Sequence, residues 1–270
     1  MKPSRWRPSH VCLQNSVYAC ARTRKGGLMR ILAIGDIHGC SIALQTLLDA
    51  VKPGSDDVLI TLGDYVDRGP DSKGVISILL DLEKTTQLKP LLGNHEILFI
   101  DAMSEQLDVE AWLRVGGRET LLSYAPDRTT LSWNHVSPEH MEFLNERCLR
   151  HWESDKHLFV HANANAVFPL KEQSDDWLFW TRFDDSYPHV SGKTMICGHT
   201  AQKSGIPSLR PHAICLDTWA YGEGWLTCMD VNSGEFTQAN QAGQIKKFTL
   251  ADLENQAGGK TTQLPLSPPN

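Results

Sequence analysis

Five short segments contain most of the residues that could do chemistry: Gly35-Asp36-Ile37-His38-Gly39, Gly63-Asp64-Tyr65-Val66-Asp67-Arg68-Gly69, Gly93-Asn94-His95-Glu96, His161-Ala162 and Gly198-His199-Thr200. Carboxylate oxygen, amide oxygen and imidazole nitrogen are the donor types that suit Mn²⁺, Fe or Zn²⁺. A centre of two ions about 3.5–4 Å apart needs a carboxylate able to bridge them, and in-line displacement at phosphorus is among the reactions such pairs support. The flanking glycines allow sharp backbone turns and close approach of a phosphate. A single Asp-x-His at a strand end is usually a surface turn. Five such clusters in order are not explained by turns chosen independently.

The elements that must hold these clusters are visible around them. Met29–Ile34 is an apolar run ending at Gly35-Asp36, followed by a helical pattern through Ile42, Leu44, Leu47, Leu48 and Val51. The run 57–62 repeats the form and ends at Gly63-Asp64, and the next helix is predicted over Ser72–Glu83, with Val75, Ile76, Leu79 and Leu80 on its apolar side. A third strand, 87–92, ends at Gly93-Asn94. This βαβαβ order implies parallel strands with right-handed crossovers, so the first three polar clusters share one sheet edge. Ligands in open α/β sheets bind beyond that edge.

From about Ile97 to Leu149 the pattern is mostly helical and is expected to form a cap. Strand character returns at His157–Val160, Thr194–Cys197, 213–216, 225–231 and, after an Asn232-Ser233-Gly234 turn, 235–238. These strands are expected to make another sheet. One catalytic domain is predicted over 29–253, with a basic N-terminal extension over 1–28, disordered or upstream of a start at Met29, and a disordered Pro-containing tail over 254–270.

Composition narrows the function classes. The first 28 residues carry six Lys and Arg and no acidic residue, so a net charge of −6 leaves about −12 on the remainder. An acidic body argues against nucleic-acid polymers, whose binding depends on releasing counterions from phosphates. No run approaches the ~20 apolar residues that span a bilayer, so no membrane is expected. Seven cysteines without a C-x-x-C pair point to reduced thiols in a cytoplasm. Cys40 and Cys197 flank two of the clusters and are read as packing residues. Nothing fixes an oligomeric state, and a monomer is compatible with the sequence.

The motifs GD-x-HG, GD-x-VDRG and GNHE with later His segments resemble the phosphoprotein phosphatase family of calcineurin-like metallophosphoesterases, over Met29 to about Val231. The late Gly-His-Thr form is closest to the compact bacterial members. The resemblance implies an α/β fold, a four-layer α/β/β/α sandwich with central β-sheets and a helical cap. It implies two metal ions, with Mn²⁺ the expected pair and Fe or Zn²⁺ also suited. Asp36 and His38 would hold the first ion, Asp64 would bridge, and Asn94, His161 and His199 would hold the second. Metal-activated water would then attack phosphorus in line, with no covalent enzyme intermediate.

By the same resemblance His95 protonates the leaving oxygen while Asp67 orients its ring, although a fourth imidazole ligand remains open for His95. Arg68 and Asn94 are expected at the substrate phosphate. Arg182, in Trp180-Thr181-Arg182, is the expected second arginine, with Arg118 its competitor and more naturally the start of a cap helix. Asn163 and Trp219 stand where glycine is usual in the family, which would reshape the pocket rim. The expected substrates are phosphoserine and phosphothreonine proteins or small phosphoesters, with dinucleoside polyphosphates as the alternative. A catalytically silent scaffold would not need Asp36, His38, Asp64, Asn94, His95, His161 and His199 all intact.

Overall fold

The computed structural model describes residues 23–24 and 27–258. The expected extension lies mostly outside them, apart from a short antiparallel pair, β1 (Thr23–Arg24) and β2 (Gly27–Leu28). The expected tail lies outside from residue 259, but helix α7 (Leu250–Gly258) carries the ordered chain past the predicted boundary at 254.

Two mixed sheets form the centre. The first has six strands in the order β13 (Ile245–Thr249), β12 (Glu235–Ala239), β11 (Leu226–Asp230), β3 (Ile31–Ile34), β4 (Val58–Thr61) and β5 (Gln87–Pro90). The second has five, β6 (His151–Glu153), β7 (His157–Val160), β8 (Thr194–Cys197), β10 (Ala213–Cys215) and β9 (Ser208–Arg210). As expected, β3, β4 and β5 are parallel, so their carboxyl ends share an edge. Strands β7, β8 and β10 are parallel to one another as well.

One expectation is corrected. The segments 225–231 and 235–238 do not join the second sheet. β11 lies antiparallel to β3, with Cys228 opposite Ile34, and β12 pairs with β11, so both extend the first sheet. Apolar alternation sets which face a residue presents and leaves the strand's neighbour open. Strands β6, β9 and β13 and helix α7 were not expected at all.

Side-chain alternation explains the layers. In β3, Leu32 and Ile34 pack against the helical layer, while Ile31 and Ala33 face the second sheet. Leu59 and Ile60 divide in the same way on β4. On the second sheet Phe159, Ile196 and Ile214 point inward, and Leu158, Met195 and Ala213 point outward. Strands buried on both faces read as continuous apolar runs, which is why 31–34 has no polar residue. The outer helical layer is α1 (Ser41–Val51) and α2 (Ser72–Glu83), followed by the cap of α3 (Asn94–Met103), α4 (Val109–Trp112), α5 (Arg118–Tyr124) and α6 (Pro138–Glu142). The opposite outer layer consists of 3₁₀ and π turns that bring Leu170, Leu178, Phe179 and Phe183 onto the second sheet.

Asp57 anchors the start of β4 beneath this edge. Its carboxylate receives Arg30 Nε at 3.2 Å, Arg30 Nη2 at 2.5 Å and the Gly54 N–H at 2.8 Å. Burial acts to raise its pKa, but these donors outweigh burial and hold it below the usual carboxylate value. A lowered folded-state pKa means that this stabilisation is present above the ordinary carboxylate range and is lost as pH falls through the folded value. Asp57→Asn is therefore expected to lower the unfolding free energy by about 2–3 kcal/mol at neutral pH. Urea unfolding should show the gap to wild type narrowing in acid.

Candidate metal and phosphate site

The carboxyl ends of β3, β4, β7 and β8 and the first turn of α3 converge on Asp64. Its Oδ2 lies 3.3 Å from His38 Nε2, and its Oδ1 lies 3.5 Å from His161 Nε2. Two groups of potential metal ligands result, His38–Asp64–His95 and Asp64–His161–His199, each with ligand atoms within 4.8 Å of one another. Asp64 is the member they share, as a bridging carboxylate must be. Asn94 adds its Oδ1 to the second group, 2.9 Å from His161 Nε2 and 3.0 Å from His199 Nδ1.

Protons on the imidazoles indicate what this cluster requires. His38 Nδ1 faces the Val66 carbonyl at 2.9 Å, and His161 Nδ1 faces the Leu62 carbonyl at 2.8 Å. A carbonyl only accepts, so each Nδ1 carries the hydrogen and each Nε2 presents a lone pair inward. The His199 ring is hydrogen-bonded to the Trp180 backbone. Burial lowers the pKa of His38 and His161, and burial followed by the neighbouring His161 pushes His199 down to about 4. Neutral imidazoles with their outer N–H tied to backbone carbonyls are in the form that ligates metals.

Acceptors also face acceptors. His161 Nε2, Asn94 Oδ1 and Asp64 Oδ1 converge, and Asp217 Oδ2 is buried with no hydrogen-bond donor. Burial raises Asp36 well above its ordinary value, with Asp217 and Asp64 adding to the effect, and burial pushes Asp217 up to about 7. Such a concentration of buried lone pairs fits a pair of cations.

Most of the residues predicted from the sequence meet here. Asp36 stands outside both ligand groups, its oxygens receiving the His199 N–H at 2.9 and 3.1 Å, so it ties the first loop to the last. His95 lies within the first group, but its Nδ1 is engaged by Asp67 Oδ2 at 2.7 Å. Burial lowers the His95 pKa and the charges of Asp64 and Asp67 raise it, with a net upward shift.

The cap fixes that dyad. Trp112 Nε1 donates to Asp67 Oδ2 at 3.0 Å and Thr120 Oγ1 donates to Oδ1 at 2.8 Å. Trp112, Phe99 and Trp133 form a mutual aromatic cluster, with ring centroids 5.1 Å from Trp112 to Phe99, 5.3 Å from Trp112 to Trp133 and 6.2 Å from Phe99 to Trp133. Arg68 reaches the site through Nη1, 2.9 Å from His38 Nε2. Arg182 does not. Its guanidinium is 62% exposed beside Asp184 at 3.7 Å, while its carbonyl is held by Asn163 Nδ2 at 2.8 Å. Arg118 is the exposed first residue of α5. Cys40 and Cys197 are buried thiols with raised pKa values, which suits packing rather than reactivity.

Glu96 and Asp217 are site residues that the sequence reading missed, along with the supporting Trp112 and Thr120. Glu96 completes the GNHE motif, and its position there was the available signal. Its buried carboxylate accepts the N–H groups of Gly93, Asp64, Tyr65 and Val66 at 2.7–3.2 Å.

The calcineurin-like phosphoesterase family profile matches residues 29–203. The chain belongs to the calcineurin-like phosphoesterase family. It is 34% identical over 203 residues to serine/threonine-protein phosphatase 1 of Salmonella typhimurium, covering 73% of this chain and 89% of that protein. It is 36% identical over 151 residues to a symmetrical bis(5'-nucleosyl)-tetraphosphatase of Acidovorax sp. (strain JS42), spanning 53% of each, so about half the length of that relative is matched. Among solved structures, a cold-active protein tyrosine phosphatase superposes with a TM-score of 0.57 at 15% identity, covering 82% of this chain and 79% of that one, a likeness of fold. As a member of this family the chain is a metal-dependent phosphoesterase, and the family uses a dinuclear metal centre.

Gly198 tests how closely the loops fit. A Cβ there would stand 1.9 Å from Asp36 Oδ1. Gly198→Ala is expected to displace Asp36 and the following His199, lowering bound metal per chain in elemental analysis while leaving the far-UV circular dichroism of the folded protein unchanged.

Proposed function

We infer that this chain is a dinuclear-metal phosphoprotein phosphatase acting on phosphoserine and phosphothreonine, with small phosphomonoesters as additional substrates. The observation that carries the reading is the overlap of two ligand groups at Asp64 beside an Asp67-oriented His95. The similarity to serine/threonine-protein phosphatase 1 along 89% of that protein's length supports the substrate class. The proposed ligands are Asp36, His38 and Asp64 for one ion and Asp64, Asn94, His161 and His199 for the other, with Mn²⁺ the expected metal. A bound pair supplies Lewis acidity that withdraws charge from phosphoryl oxygens and lowers the proton affinity of water.

The chain's own residues account for the other requirements of the reaction. Arg68 presents a guanidinium that can hold two non-bridging phosphate oxygens as charge builds on them. Asp67 holds the His95 Nδ1–H, which leaves Nε2 to carry a proton to the departing serine or threonine oxygen. The raised His95 pKa favours the protonated form that this role needs. The Asp67 carboxylate is itself held by donors from the cap, so the ring is oriented before substrate arrives. A reducing cytoplasm suits a chain whose described cysteines are all free thiols.

A second reading, hydrolysis of dinucleoside polyphosphates, is favoured by the likeness to a symmetrical tetraphosphatase and by the exposed ring of Trp180 next to the His199 loop. The experiment compares kcat/KM for a phosphothreonine peptide and for diadenosine tetraphosphate with Mn²⁺-loaded protein. The peptide is expected to be preferred. Preference for the dinucleotide would establish the second reading, and turnover of neither would contradict both. His95→Asn is expected to keep both metals and to lower kcat by about 10²–10⁴-fold. Loss of metal in that variant would make His95 a ligand instead.

A further inference from the structure

Tyr221, in the loop between β10 and β11, has no role in the assignments above. Its ring lies under Arg68, with the guanidinium carbon 4.8 Å from the ring centroid, and it meets His38 edge to face at 4.9 Å. Arg68 Nη1 lies 2.9 Å from His38 Nε2, the lone pair proposed for a metal, and the Tyr221 face beneath the guanidinium is the contact that does not compete with that role. Among the described residues no carboxylate pairs with this guanidinium, so its remaining donors stay available to an incoming anion.

The Tyr221 ring is held in turn by a loop built around Trp219. Trp219 has a left-handed backbone, φ 64°, where a bulky side chain is strained. Three contacts hold it there. Its N–H donates to Asp217 Oδ1 at 3.1 Å, and its carbonyl accepts the N–H groups of Gly222 and Gly224 at 3.1 and 3.2 Å. Its indole covers Gly222 so closely that a Cβ at that residue would stand 2.2 Å from the ring. The Trp219 and Tyr221 rings meet nearly perpendicular, centroids 6.3 Å apart. Strain of this kind persists only where the surroundings over-determine the conformation.

We propose that Tyr221, braced by Trp219, is a positioning residue that presets the Arg68 guanidinium for the substrate's phosphoryl group. The proposal rests on the reading of Arg68 as a phosphate-binding residue. A planar cation stacked on an aromatic face keeps its edge donors free while losing its torsional freedom before substrate binds. The loop that follows β10 therefore contributes to phosphate recognition through Arg68, without contacting substrate itself.

The test is a double-mutant cycle with p-nitrophenyl phosphate and Mn²⁺-loaded protein. Tyr221→Leu is expected to lower kcat/KM about 10-fold, the size of a partly desolvated cation–π contact. Tyr221→Phe, which keeps the ring, should remain within about 2-fold of wild type. In an Arg68→Ala background Tyr221→Leu should have no further effect, and metal stoichiometry should be unchanged in every variant. Wild-type activity in Tyr221→Leu, the same 10-fold loss in both backgrounds, or loss of metal on replacing Tyr221 would overturn the positioning role alone. Full activity in Arg68→Ala would overturn the phosphate role of Arg68 and the proposal with it.

Discussion

A single carboxylate, that of Glu96, accepts four backbone N–H groups from two separate loops, Gly93 on one side and Asp64, Tyr65 and Val66 on the other. It is fully buried. Four charge-assisted bonds to rigid backbone lock the turn after β4 against the start of α3. Burial and the neighbouring Asp64 push Glu96 up to about 8, while the backbone donors pull the other way. The four N–H groups, two on each oxygen, fit the ionised form, in which neither oxygen carries a hydrogen. Asp64, Asp67 and Arg68 on one loop and Asn94 and His95 on the other all take their relative positions from this contact.

Backbone strain follows the same geography. Six of the nine non-glycine residues with positive φ among the described residues are His38, Asp64, Asp67, Arg68, His199 and Trp219. Each lies in a loop that closes on the site. Such conformations cost on the order of 1–3 kcal/mol each, and they last where surrounding bonds leave no alternative. Here those bonds are identifiable: Gly116 O accepts the Arg68 N–H, Asp36 accepts that of His199, and Thr120 Oγ1 accepts that of Asp67. The two sheets supply the rigid edges and the loops supply the curvature that brings these side chains together.

Much of this was legible in the sequence, for reasons that are physical and local. A run buried on both faces must be apolar throughout, and a chain turning out of it at a close-packed edge needs glycine, so 31–34 with Gly35-Asp36 announced both a strand and a site. What sequence could not provide was long-range pairing. The placement of β11 beside β3 joins residues almost 200 positions apart, and nothing in either run names its partner. The same limit hid Trp112 and Thr120, whose bonds to Asp67 span 45 and 53 positions. Arg182 shows what a local pattern leaves open: Trp-x-Arg suggested a phosphate contact, and the guanidinium stands exposed beside Asp184.

In the proposed site one carboxylate, Asp64, joins two cation positions. The direct measurement is metal stoichiometry of purified Asp64→Asn, by elemental analysis after Mn²⁺ loading, beside wild type and with folding checked by circular dichroism. About two ions per wild-type chain and loss of the stable pair in the folded variant are expected. A folded Asp64→Asn protein that still holds two ions would contradict this bridging role.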